Sequence, residues 1–482
     1  MESLQSLESL APHVYSASVK GARKPQRRPA SGSSARNVAP AVKAREPFAV
    51  RLGIFALWVL LFVPPFLVSP AAKEAFRLPK LLASGWLALA SLLFLCWRLR
   101  EVEEIAPASL WRRPALRAVL PLLLVATATL ATTAHPLHVR DALADLWIGA
   151  AALVGWSLAL ETRTQERLLR GLLIPAAGLA LFGILQYHGY QPLPIFGLDA
   201  GSRLTITATA GNPGDLGAYL VLPCLIAQWG LASGIRGGRR VWTAIALALC
   251  VYALALTQTL AAIAALLAGS LILWMILLPR RKTLPALAGA VALAAVLVLA
   301  VTPLRERAFE KVGQAARGDL NAVLTGRLDG WNAATWMLRE HPWTGVGHGA
   351  YRPEFIPAKT DLMARGVPFY PGQNQVVFAN AHNEVLEAGA DWGIPGLLAL
   401  AWGLWVLLAT LRRIPPRPGE PELEVAERRL AAALAWSGVI ALAVLSLAHF
   451  PFRIALVAYP AVLFLSWALR QGDRPAPEVP VS

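Results

Sequence analysis

Charge is scarce in this chain. Asp, Glu, Lys and Arg make up 15% of its 482 residues, against roughly 25% in soluble globular domains. Together with 56% apolar residues, that shortfall excludes a charge-solvated disordered protein and an ordinary soluble enzyme. Cysteine is rare too: Cys96, Cys224 and Cys250 all lie inside apolar runs, so neither a disulfide framework nor a zinc site fits. No phosphate-binding P-loop occurs. The first residues have no short apolar core with a small-residue cleavage site, as a secretory signal would.

What the chain does have is long apolar runs. They fall at about 50–68, 79–97, 116–133, 143–160, 168–187, 213–233, 241–258, 259–278, 284–301, 391–411, 430–448 and 454–470. Each approaches the roughly 20 residues needed to cross a bilayer as a helix. The stretch 241–278 is nearly twice too long for one span, and Thr257-Gln258-Thr259 is the polar cluster where it should turn. The expectation is an all-α membrane protein of about 12 transmembrane helices, with one long, partly helical loop between spans 9 and 10.

The organisation that follows is a basic, disordered cytoplasmic tail (1–47), spans 1–9 (48–301), a loop (302–390), spans 10–12 (391–470) and a short cytoplasmic tail (471–482). With the N-terminus inside, the inner segments hold 30 Lys and Arg and the outer ones 15. Nine of those 15 lie in the long loop, to which the positive-inside rule does not extend. Both termini are therefore expected in the cytoplasm. The net charge of +16 falls on the inner side, where it faces anionic lipid and says nothing about nucleic acid.

Within the long loop, 304–317 and 325–341 have helical patterns, the second with an apolar stripe at Leu328, Trp331, Thr335 and Leu338. Residues 355–379 hold Pro and Gly without a period and read as irregular. Helix resumes near Asn380.

Four outward positions are chemically suggestive. Arg327 opens a helix whose N-cap is expected at Thr325, where a cation opposes the helix dipole and so is not explained by helix stability. A guanidinium beside a helix N-terminus suits a phosphate or diphosphate, though a solvated arginine is the plainer alternative. Arg203 is the lone cation of the 188–212 loop, ahead of Gly211-Asn212-Pro213; unaided, it reads as a headgroup anchor. His382 follows Asn380 at a helix start, where a neutral imidazole able to act as a general base is favoured. A capping histidine is its alternative, and Glu384 and Glu387 would oppose the effect if close. His449 and Arg453 flank Pro451 and would line the same cavity, while the glycine-rich turn between His341 and His348 is expected to shape the loop. The outward loops hold no Asp-x-Asp, His-x-x-x-His or carboxylate cluster of the kind that binds divalent metal. No ionisable residue interrupts the middle of a span, which speaks against an ion-coupled exporter.

In this order, the motifs resemble the O-antigen ligase and polymerase superfamily of bacterial envelope glycan assembly. The resemblance is carried by Arg203 with Gly211-Asn212-Pro213 and Leu216-Gly217, and by Gly326-Arg327 with Trp331. His341-Pro342, Gly345-Val346-Gly347 and Gly349 follow, then His382-Asn383 with Gly393 and Gly396, and finally Phe450-Pro451-Phe452-Arg453. It spans roughly residues 200–460. One departure is at Thr259-Leu260, where members commonly carry Ser-Arg.

The resemblance implies an inverting glycosyltransferase of the bacterial inner membrane with its site on the periplasmic face, needing no metal or cofactor. The donor would be a glycan on a polyprenyl diphosphate and the acceptor lipid A–core. A second lipid-linked repeat (a polymerase) or a protein hydroxyl (an O-oligosaccharyltransferase) are the alternatives within the family, and a multi-span exporter the alternative outside it. His382, Arg327 and Arg203 would be catalytic, with Asn212, Trp331, Asn383 and Arg453 contacting substrate.

Overall fold

The computed structural model describes residues 47–72, 74–101, 110–191, 201, 203–279, 281–282, 285, 289, 302–370, 377–416 and 420–473. The sequence tails 1–46 and 474–482 lie outside them. The described residues belong to one compact unit and form helices, with no strand among them. In chain order the α-helices are α1 (Phe48–Phe62), α2 (Leu78–Glu101), α3 (Pro114–Ala128), α4 (Pro136–Ala159), α5 (Thr162–Gly171), α6 (Leu173–Tyr187), α7 (Pro213–Ala232), α8 (Gly238–Thr257) and α9 (Leu260–Leu277). They continue with α10 (Thr302–Ala316), α11 (Leu320–Val323), α12 (Arg327–Glu340), α13 (Tyr351–Ala364), α14 (Glu384–Leu411), α15 (Glu422–Ser446) and α16 (Ala455–Gly472).

Ten helical segments among the described residues are long and apolar enough to cross a membrane, not twelve. The expected span at 284–301 falls, apart from two positions, outside the described residues. The expected span at 454–470 exists as α16 but is not among the ten. Tyr459, Pro460, Arg470 and Gln471 dilute its apolarity, and the bundle makes this tolerable. Leu463, Phe464, Trp467 and Ala468 of α16 are fully buried among neighbouring helices, so little of it has to match lipid. The ordered loop region thus lies between the eighth and ninth of the ten segments. The expected turn at 257–259 is present: α8 ends at Thr257, Gln258 takes the left-handed conformation (φ 51°), and α9 starts at Leu260.

Helix contacts in the bundle are close because the residues are small. A Cβ on Gly269 of α9 would lie 2.9 Å from the Ser437 carbonyl of α15 and 3.0 Å from Ala441. Such approach lets dispersion hold helices together where lipid offers no hydrophobic drive. Some buried polar groups pair across helices: Trp156 Nε1 donates to Ser91 Oγ at 3.0 Å, and Gln165 Nε2 to Ser466 Oγ at 3.1 Å.

The loop region builds its own core on the ends of α3 and α4. Ala333, Ala334, Met337, Tyr351, Phe355, Ala381 and Trp392 pack with Ala126, Val139 and Leu143. Three local expectations change here. Residues 351–364 are helical although the pattern from 355 reads as irregular. Pro353 falls in the first turn, where no intrahelical N–H bond is lost. Tyr351, Phe355, Ala358 and Lys359 are buried at helical spacing, and their packing outweighs the disruption at Pro357. The deeply buried face of α12 is Gly330, Ala333, Ala334 and Met337, offset from the larger residues at 328, 331, 335 and 338, which remain half-buried. The small residues win the inner face because α12 lies close against α14 and α13. The caps shift as well: Gly326 (φ 78°), not Thr325, precedes α12, and Asn383, not Asn380, caps α14.

Candidate functional site

Helix α14 is broken near its start, and the break positions the site. Gly393 has φ 66° and ψ −162°, a conformation essentially restricted to glycine. A Cβ there would lie 2.5 Å from the Pro342 carbonyl. The groups freed by the break are taken up by the turn at 342–349. Ile394 N donates to Pro342 O at 2.7 Å, Val346 N to Ala390 O at 2.9 Å and Gly347 N to Asp391 O at 3.0 Å. The glycine-rich turn therefore shapes the loop, clasping the short helix Glu384–Trp392 and fixing the segment before it.

That segment carries His382, with φ 56°, a left-handed conformation uncommon outside glycine. Its ring packs edge-on against Phe450 (centroids 4.8 Å apart) and Phe378 (5.9 Å). Its Nδ1 is buried and has no hydrogen-bond partner among the described residues, unlike the Nδ1 of a histidine used for capping. Burial, with the Arg327 and Arg77 guanidinium groups nearby, holds its pKa down to about 3. Glu384 and Glu387 do not counter this, because both face Arg453. The imidazole is neutral at pH 7.

Arg327 is the first residue of α12, and its guanidinium makes no ion pair or hydrogen bond among the described residues. Burial, with Arg307 of α10 beside it, lowers its pKa, the mark of a cation held without a counter-charge. Arg307 has a buried Nε without a hydrogen-bond partner among the described residues, though Glu310 acts on its charge. Trp331, one turn on from Arg327, presents a buried indole N–H that is also unpartnered.

His449 lies 6.3 Å from His382 between ring centroids. Burial, with His382, Arg327 and Arg77 nearby, keeps its pKa at about 3. Its contact with Asp215 at 3.7 Å is thus made by a neutral ring. Arg77, immediately before α2, donates to Asp215 Oδ2 from Nε at 3.1 Å and from a terminal nitrogen at 2.9 Å. Its guanidinium also stands 5.5 Å over the Phe450 ring.

The remaining sequence candidates have other surroundings. Asn212 caps α7, its Oδ1 accepting from Gly214 N at 2.6 Å. Asn383 caps α14 through Val385 N and Leu386 N, and its Nδ2 donates to Leu447 O. Arg453 is enclosed by carboxylates: Asp391 at 2.8 Å, Glu387 at 3.1 Å and Glu384 at 3.9 Å. Burial opposes its charge, but these acids outweigh it and raise its pKa. Arg203 opens the one-turn helix Arg203–Thr205, and its side chain is outside the described residues. At the Thr259-Leu260 turn, Thr259 Oγ1 donates to Pro213 O at 3.3 Å. Among the described residues, no group of three or more His, Cys, Asp or Glu is arranged to hold a metal.

Arg77 and Asp215 are the residues near His382 that sequence reading overlooked, while Glu387 was weighed only for its effect on His382. One signal was available: Lys73, Arg77 and Lys80 crowd eight residues of a short segment expected to face outward, where the positive-inside bias disfavours them. Nothing in the spacing pairs Arg77 with a carboxylate 138 positions away.

Against known families, residues 245–401 match the model described as O-antigen ligase. The match takes in about a third of the chain and contains Arg327, Trp331, His382 and Asn383. No curated protein matches the chain.

Proposed function

We propose that the protein is an O-antigen ligase-like glycosyltransferase that moves a glycan from a polyprenyl diphosphate to an acceptor hydroxyl, with lipid A–core as the acceptor. The observation that carries this reading is a neutral histidine with an uncommitted ring nitrogen, flanked by an unpaired arginine inside the family match. The Lys and Arg asymmetry of the short loops supports both termini in the cytoplasm of the inner membrane and this end of the bundle on the periplasmic side.

The chemistry is a single displacement. The acceptor oxygen attacks the anomeric carbon, and the bond from that carbon to the diphosphate oxygen breaks. The diphosphate leaves with the bonding pair, and the hydroxyl proton passes to His382. Arg327 stabilises the charge that develops on the leaving group, with Arg203 as the second cation assigned to it. One attack from the face opposite the leaving group inverts the anomeric centre.

The depressed basicity of His382 fits this sequence of events. Without donor, burial disfavours the imidazolium and two guanidinium groups add to the effect by repelling it. A bound diphosphate ester neutralises them, so the ring gains basicity when there is a sugar to transfer. Idle proton uptake is thereby disfavoured before the donor arrives.

Purified protein supplied with lipid-linked glycan and lipid A–core tests the proposal. Transfer should occur in EDTA, be abolished in His382→Ala and fall at least tenfold in Arg327→Lys, which loses the planar fork. Glycan passing only to a second lipid-linked glycan or to a peptide Ser would move the reading to the polymerase or the protein transferase. A folded His382→Ala with wild-type transfer would refute it.

A further inference from the structure

Arg77 is not the only tie that holds its loop. Its loop is already tied down by Lys80, whose Nζ donates to Phe76 O at 2.9 Å and to Thr209 O at 2.7 Å, and also to Leu67 O. Those bonds join the α1–α2 connection to the loop before α7 without the guanidinium. Arg77 instead projects beyond this anchor, its side chain 37% exposed, while its partner Asp215 is 2% exposed.

Two features aim Arg77 at the site. Asp215 holds it by one oxygen, Oδ2, which takes Nε and one terminal nitrogen; the other terminal nitrogen and its two N–H donors are not used by this pair. The guanidinium also lies over one ring, Phe450, that His382 packs against from 4.8 Å. Through that shared ring, Arg77 and His382 are within about 10 Å of each other. Asp215 does not cancel the charge, because the cation of Lys80 also faces it. Two cations thus share Asp215, and the charges of both Arg77 and Arg327 reach His382.

We propose that Arg77 binds the second phosphate of the diphosphate donor, alongside Arg327 at the first, and that Asp215 orients it. This rests on the transferase reading of the site and assigns to that site its discrimination between diphosphate and monophosphate lipids. Two cations near the histidine match two phosphates in series, whereas Arg327 alone suffices for one. A diphosphate lipid should therefore bind well above a monophosphate lipid, and Arg77 should account for the difference.

The test is binding of geranylgeranyl diphosphate and geranylgeranyl monophosphate to the full-length protein in nanodiscs. Arg77→Gln should weaken the diphosphate at least tenfold and the monophosphate less than threefold, collapsing the preference, as expected for loss of charge-assisted hydrogen bonds. Arg77→Lys, which keeps the charge and the ring contact, should lower the preference about threefold and serves if the glutamine variant does not fold. An unchanged preference in a folded variant overturns the proposal, as does an equal loss for both lipids with a lowered melting temperature, which marks a brace. Arg327→Gln separates the levels. If it weakens both lipids while Arg77→Gln weakens neither, only the role of Arg77 falls. If neither arginine affects diphosphate binding, the transferase reading falls with it.

Discussion

Replacing Arg453 by methionine removes the cation shared by three carboxylates, and the structure makes the consequence calculable. Asp391 and Glu387 are fully buried and stand 2.8 and 3.1 Å from the guanidinium. At an effective dielectric of about 20, each contact is worth roughly 5–6 kcal/mol of gross attraction. Desolvation of the groups offsets most of that gain in the native protein, but it is not recovered when one partner is deleted. Breaking such a buried pair typically costs about 3–5 kcal/mol. The acids also hold backbone: Ala381 N donates to Glu387 at 2.8 Å, Phe452 N to Glu384 at 3.1 Å and Gly349 N to Asp391 at 2.9 Å. Losing Arg453 should therefore loosen the segments on both sides of His382. Unfolding of the reconstituted protein by denaturant should show a loss of that size, and transfer should fall with it. The triple variant Arg453→Met, Glu387→Gln, Asp391→Asn should recover most of the stability, since no uncompensated charge remains. If Arg453→Met is as stable as wild type yet inactive, the arginine is a substrate ligand and the reasoning from its carboxylates is wrong.

The remaining predictions follow from the site and its supports. Because the pKa of His382 without donor is about 3, kcat/KM should show no loss from its protonation between pH 5 and 8. The acid limb of kcat should lie at higher pH, since bound diphosphate compensates the arginines. At about 10 Å and a dielectric of about 20, Arg77 contributes roughly 1.7 kcal/mol, so Arg77→Gln should raise the His382 pKa by about one unit in an NMR titration. The pKa values of His382 and His449 are depressed on folding. Their contribution to stability should be complete above pH 6.5 and be lost as the pH falls towards 3, and His449→Asn should flatten that slope in thermal melts. Gly393→Ala forces a Cβ to within 2.5 Å of the Pro342 carbonyl and a strained backbone conformation; it should cost about 2 kcal/mol or more and abolish transfer. Asn383→Ala removes two cap hydrogen bonds and should cost about 1 kcal/mol in denaturant unfolding.

Sequence pattern alone determined the helical membrane class, because apolar runs near twenty residues have one economical solution in lipid. It determined the α8–α9 turn for the same reason: Thr257-Gln258-Thr259 is the polar break in a run too long to be one span. It also brought His382 and Arg327 to notice, since residue type and helix position are local properties. What only the tertiary structure decided is which charges remain free. Arg453 and Arg327 look equivalent in sequence, yet one lies among three acids and the other faces none among the described residues. Arg77 was unremarkable until folding brought Asp215 and Phe450 to it. The helix at 351–364 likewise forms against its prolines because Tyr351 and Phe355 find a core to enter. Charge compensation and burial are set by neighbours far apart in the chain, and no local spacing records them.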